Sequence, residues 1–291
     1  MIIVNSDSVL RKYFPNTLVT VTGETPLFDK VTPFLEMAEE WVMQYLTSAA
    51  TFAEISGLAE GNIARSVTAK IIVSHAMMNA IPSLDVVLTP NGFGIVSNSN
   101  IAPASRDRVS RLIASLESER DRAIRFLLTL LPTFTSWSDT PQGEYFSATL
   151  FPNLDICDYL GLVEHQWQKY QELRPAVIEV EQYITDHFIG SEQMDAFRKE
   201  QIAPSSTSAV LKAVIRSLRA DVIQRVKRLQ TDTSHTASVV SPPTTLIHIV
   251  DTIRNNPDLF PEWHNSSVRE LFSPPVYENR KEDKGYWFLI L

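Results

Sequence analysis

The feature that most constrains this chain is an echo of its first half inside its second. The run Thr32-Pro33-Phe34-Leu35-Glu36-Met37-Ala38-Glu39-Glu40-Trp41-Val42 returns in pattern as Arg174-Pro175-Ala176-Val177-Ile178-Glu179-Val180-Glu181-Gln182-Tyr183-Ile184. Both have Pro near the start, then aliphatic residues, an acidic or amide pair, and an aromatic followed by an aliphatic. At the same offset Lys70 falls on Lys212, each inside a helix-like stretch. A polar turn then leads to Gly92-Phe93-Gly94-Ile95-Val96 early, and to Gly285-Tyr286-Trp287-Phe288-Leu289 at the far end. A duplicated helix–helix–hairpin unit accounts for this order. The expected fold is mainly α, a bundle of two related helix–helix–β-hairpin units. Residues 1–150 would carry the first unit with a long helix and linker, and residues 151–291 the second, ending in a C-terminal hairpin.

Periodicity and caps supply the elements. A short helix capped by Ser6 or Ser8 runs to Tyr13, and Thr17–Gly23 alternates as an extended segment would. Apolar residues at helical spacing from Leu27 carry a helix to about Ala50, and a second runs from Asn62 to Ala80, before Pro82. Asn91-Gly92 between apolar runs signals a tight hairpin, because both residues tolerate positive φ. Ser105 opens a long helix to Leu131. In the second half, helices are expected over 163–173, 175–189, 191–201, 206–229 and from Thr244 or Thr245 to Arg254. Two short strands over 276–291 would close the chain, after about fifty residues more than the first copy carries before its hairpin.

The segment from Pro132 to Phe151 is the boundary candidate. It is rich in Ser, Thr, Pro and Gly, yet holds Phe134, Trp137, Tyr145, Phe146 and Phe151. Two readings stand: a loop packed over the core, or an arm docking on a neighbouring subunit. On the second reading Trp137, Tyr145 and Phe146 carry an interface, together with the hairpin tips Asn91-Gly92-Phe93 and Gly285-Tyr286-Trp287, since aromatics are enriched among interface anchors. The competing idea is that the hairpins lid their own helix pairs.

Chemistry is sparse. Six histidines include no i, i+4 pair and no His-Glu-x-x-His, so no metal site is expected, and His75 reads as a core histidine. Cys157 is the only cysteine, which excludes an internal disulfide and any zinc site needing two thiolates. Glycine-rich phosphate loops and a Gly-x-Ser-x-Gly elbow are absent from the sequence. The clustered Glu36, Glu39 and Glu40 suit a helix start better than acid–base catalysis. No enzyme and no cofactor are expected. The opening Met1-Ile2-Ile3-Val4 is too short for a signal-peptide core, and no apolar run reaches the roughly 20 residues of a membrane span. With 44% hydrophobic and 21% charged residues the chain is composed as a globular protein, and its net charge of −8 argues against a general nucleic-acid coat.

One charged pattern rises above background. Lys212, Arg216, Arg219 and Lys227 flank the apolar stripe of the helix expected over 206–229. They form either a face for nucleic acid or an acidic partner, or a solvated edge paired with Glu179, Glu181 or Asp186 on the preceding helix.

The stretch Asn91-Gly92-Phe93-Gly94-Ile95-Val96-Ser97-Asn98, then Asn100-Ile101-Ala102-Pro103-Ala104-Ser105, with Arg108, Val109 and Leu112, resembles a family of tailed phages and prophages of gut Bacteroidales. The ending Glu278-Asn279-Arg280-Lys281, Asp283 and Gly285-Tyr286-Trp287-Phe288 shares the resemblance. Its members look like head–tail connector or neck proteins. The resemblance implies a non-enzymatic virion component, made in the host bacterial cytoplasm and assembling as a homo-oligomeric ring around the DNA exit channel. The implied partners are portal, adaptor or tail proteins, with DNA passing through unread and no membrane. The runner-up is an intracellular nucleic-acid-binding factor or small enzyme using the basic helix.

Overall fold

Ser6 accepts the Val9 N–H and opens helix α1 (Asp7–Tyr13), capping it as the sequence predicts. The computed structural model describes residues 2–14, 25–84, 86–89, 92–95, 105–231 and 244–272. After α1 come α2 (Leu27–Tyr45), α3 (Ala49–Gly57) and α4 (Ile63–Leu84). The backbones of β1 (Val86–Thr89) and β2 (Gly92–Ile95) pair antiparallel, Val86 opposite Ile95 and Thr89 opposite Gly92. Then follow α5 (Arg106–Leu130), α6 (Pro141–Ser147), α7 (Asp155–Tyr159), α8 (Gln166–Ile184), α9 (Ser191–Ile202) and α10 (Ala209–Thr231). Helices α11 (Thr244–Arg254), α12 (Pro261–His264) and α13 (Val268–Phe272) complete the described chain, which is mainly α. The expected extended segment at 17–23 and the terminal hairpin at 276–291 lie outside the described residues.

Three helix boundaries differ from expectation, each for a local reason. The first long helix stops at Tyr45, not Ala50, because the Thr47 N–H bonds back to Val42 O at 3.0 Å and the chain turns through Ser48. Ser48 then caps α3, a helix the sequence reading missed, by accepting the Thr51 N–H at 3.2 Å. Pro82 does not end α4, and Pro175 does not divide α8. A proline removes one N–H and bends a helix without severing it when packing holds both sides.

At a constant spacing of 142 residues, the distance from Pro33 to Pro175, a set of buried positions recurs without a gap across three helices. In α2 the buried Val31, Leu35, Ala38 and Val42 match the buried Leu173, Val177, Val180 and Ile184 of α8. In α3 Thr51, Phe52 and Ile55 match Gln193, Met194 and Phe197 of α9. In α4 Ile72, Val73, Ala76 and Ala80 match Val214, Ile215, Leu218 and Val222 of α10. The residues preceding α3 and α9 match too: Ser48 has φ 131° and Gly190 φ 82°. Even the buried carboxylates coincide. Glu39 accepts the Ile2 and Ile3 N–H groups, while Glu181 accepts the Leu150 N–H at 2.8 Å and pairs with Arg198. Each thereby fastens the strand of chain entering a short helix, α1 or α7.

A second match involves tryptophan. After α5 a 3-10 turn leads into Phe134-x-x-Trp137, and after α11 another leads into Phe260-x-x-Trp263. The Trp137 indole N–H donates to Leu46 O at 3.2 Å, and the Trp263 indole N–H to Phe188 O at 2.9 Å. Leu46 and Phe188 are again 142 apart. Each indole pins the helix exit against the turn that follows, which satisfies a buried donor and a buried carbonyl together.

The 132–151 segment is core, not a free arm. Trp137 is 2% exposed and Phe146 is fully buried. Trp137 faces Phe146 at 6.4 Å between ring centroids, and Phe146 lies 6.2 Å from Tyr170. The reading of Trp137 and Phe146 as anchors on a neighbour is therefore corrected: their rings have local partners, and burial of such a side chain stabilises its own fold by about 1.5–3 kcal/mol. Tyr145 is half-buried beneath Arg174, whose guanidinium carbon lies 3.6 Å from the ring centroid. The halves meet where α5 touches the start of α8. Asp121 accepts the Trp167 N–H at 3.2 Å, and Arg125 reaches Asp158 at 2.9 Å and Gln166 at 3.0 Å.

Candidate functional site: a basic groove on α10

The apolar stripe of α10 buries Val214, Ile215, Leu218, Val222 and Val226 against the core. Its basic residues therefore emerge beside that stripe, toward α9 and α7. There they bound an open groove of about 410 Å³, lined by Tyr159, Glu200, Gln201, Pro204, Lys212, Ile215, Arg216, Arg219, Ala220 and Ile223. Most of its floor is aliphatic, with the cations along one side.

The four basic residues singled out from sequence fall into different roles. Arg219 is structural. It pairs with Asp155 of α7, donates to Gln201 at 3.1 Å, and lies 4.7 Å from the Phe151 ring centroid. Burial pushes the Asp155 carboxyl up, against the pull of the Arg219 guanidinium. Arg219 Nε and Asp155 Oδ1 are both buried without a hydrogen-bond partner among the described residues. Lys212 and Arg216 are exposed and one turn apart; neither forms a close ion pair among the described residues, and Lys212 acts on the nearby Glu200 carboxylate. Lys227 lies off the groove and is engaged elsewhere. Of the carboxylates expected to pair with this edge, Glu181 is held by Arg198 of α9 and Asp186 accepts from Gln182 at 2.8 Å.

Among the described residues, the remaining sequence candidates do not line this groove. Gly92 and Phe93 lie in β2, while Asn91, Gly285, Tyr286 and Trp287 lie outside the described residues. Glu39 is buried and accepts the Ile2 and Ile3 N–H groups. Cys157 is buried, donates to Gln166 O at 3.5 Å, and burial pushes its thiol up to about 12, so it is a poor nucleophile. Among the described residues no group of three or more His, Cys, Asp or Glu could hold a metal ion, and no helix is long and apolar enough to cross a membrane. The groove's acidic and aromatic wall, Glu200 and Tyr159, was missed from sequence. Only the tertiary placement of α7 and α9 brings those residues beside α10.

Residues 18–147 match the model of DUF6712, a family of unknown function. No curated protein and no solved structure matches the chain.

Proposed function

We propose that this chain is a non-enzymatic virion structural protein, a phage head–tail connector or neck component that assembles as a ring around the DNA exit channel. The observation that carries the reading is a pair of matched helical units with unlike outer faces. Buried positions 142 apart coincide in α2 with α8 and in α3 with α9, whereas α4 and α10 diverge on one side: Ile71 and Ser74 are buried where their counterparts Ala213 and Arg216 are exposed. A ring subunit must offer two different surfaces to its two neighbours, and duplication followed by divergence supplies them. The family match ends at Ser147, the last residue of α6, which supports a first unit closing near residue 150. The resemblance to tailed-phage neck proteins supplies the setting: portal, adaptor or tail proteins as partners, assembly in the host bacterial cytoplasm, and the virion as destination.

The net charge of −8 suits a channel through which DNA slides, because strong phosphate neutralisation would hold the duplex in place. In this reading each unit bears a β-hairpin, and the tips at Asn91-Gly92-Phe93 and Gly285-Tyr286-Trp287 touch neighbouring subunits. A second reading, a nucleic-acid-binding factor or small enzyme using residues 206–229, draws on the exposed Lys212 and Arg216. It is weaker, because Arg219 is already committed to Asp155 and the groove floor is aliphatic. Mass spectrometry of purified particles, with native mass of the protein alone and with its portal, decides between them. The proposal expects the protein in particles and a ring-sized species; a stable monomer absent from virions contradicts it.

A further inference from the structure

The first half of the chain indicates what the groove on α10 takes. Around α4 the equivalent face is closed by α5, which packs along its length. Lys70 of α4 lies 3.4 Å from Glu119 of α5, while Leu116, one turn earlier on α5, is buried. Val73, Ser74 and Met77 of α4 are buried as well. Their counterparts on α10 are Ile215, Arg216 and Arg219, and the counterpart of Lys70 is Lys212: all four line the open groove. Among the described residues the counterpart of α5 is the much shorter α11, which packs on α10 but adds no residue to the lining of this groove.

We propose that the groove on α10 binds an acidic amphipathic helix of a partner protein, seated as α5 is seated on α4. The apolar residues of that helix would cover Ala220 and Ile223, and its carboxylates, one turn apart, would reach Lys212 and Arg216. Charge complementarity selects an acidic occupant, since Lys212 and Arg216 stand exposed beside apolar lining, and Glu200, near Lys212, is the single acidic residue of that lining. Nucleic acid fits less well: two cations neutralise few phosphates, and the chain as a whole is strongly acidic. A helix laid into a groove by a few apolar anchors is a recurrent mode of recognition.

The inference rests on the unlike outer faces of the two units being contact surfaces, as proposed above, but it does not require a virion. The two fail separately, because particle composition tests one and peptide binding the other. The probe is a fluorescein-labelled helical peptide of about 16 residues with a leucine stripe flanked by glutamates, a length at which a helix is only marginally stable alone. Fluorescence polarisation with the full-length protein should show saturable binding that weakens with salt. The double variant Lys212→Glu/Arg216→Glu should bind at least about tenfold more weakly, with an unchanged melting temperature because both side chains are exposed. A version of the peptide with lysines for glutamates should not bind. Absent binding, equal binding to the double variant, or tighter binding of a DNA duplex at the same groove would each overturn the proposal. So would concentration-dependent self-association lost in the same variant, since a second copy would then be the occupant.

Discussion

His75 shows how much a single position can report about this fold. Its ring stacks on Trp41, with centroids 4.4 Å apart and planes 18° from parallel. The sequence marks it as a satisfied core histidine; the ring is only partly buried, and Nδ1 is buried without a hydrogen-bond partner among the described residues. Burial, reinforced by the Arg120 guanidinium, pulls its pKa down to about 4. An unfolded chain takes up that proton near the ordinary value of 6.5. Between these values the unfolded state binds more protons, so stability falls as pH drops from about 6.5 toward 4. The contribution is on the order of 2 kcal/mol. Urea unfolding at about pH 7 and pH 4.5 should register the loss, and His75→Phe should shrink the difference. An undiminished pH dependence in that variant would assign the effect to other groups.

At the scale of elements, the sequence made the long helices legible and hid how they are joined. The Pro33 and Pro175 runs betray the repeat because buried positions on α2 and α8 must keep their period to face the core. The tryptophan pins escaped notice because the spacing changes from 142 to 126 residues, the distance from Phe134 to Phe260, on leaving the three matched helices. Phe-x-x-Trp after a helix end was the signal, obscured on one side by a Ser/Thr-rich segment that looked like a loop. The same distance in sequence kept the groove hidden, since its walls come from α7, α9 and α10. The turns into α3 and α9 give the element-level test. Gly190 has φ 82°, and a Cβ there would meet the Ser266 Cβ at 3.1 Å. Gly190→Ala should therefore lose roughly 1–3 kcal/mol. Ser48→Gly, at the matching turn, should cost little, because relief at φ 131° offsets loss of the Thr51 cap. Equal stability of Gly190→Ala and the parent in urea would show that this turn does not need glycine.

Across the whole molecule, we propose that two copies of one helical unit form a single scaffold. The join is made by Asp121 and Arg125 of α5 at the start of α8, where a carboxylate meets the free N–H groups of a helix end. Once joined, the copies need not stay alike on the outside, and the open groove on α10 beside the covered α4 is the clearest divergence. Superposition in an experimentally determined structure tests this claim most directly. Residues 27–84 laid on residues 169–226 should match helix for helix without an insertion, with Glu39 over Glu181. In the same frame the Trp137 and Trp263 indoles should reach the Leu46 and Phe188 carbonyls. Helix pairs crossing at unrelated angles, or either indole turned away from its carbonyl, would contradict the account.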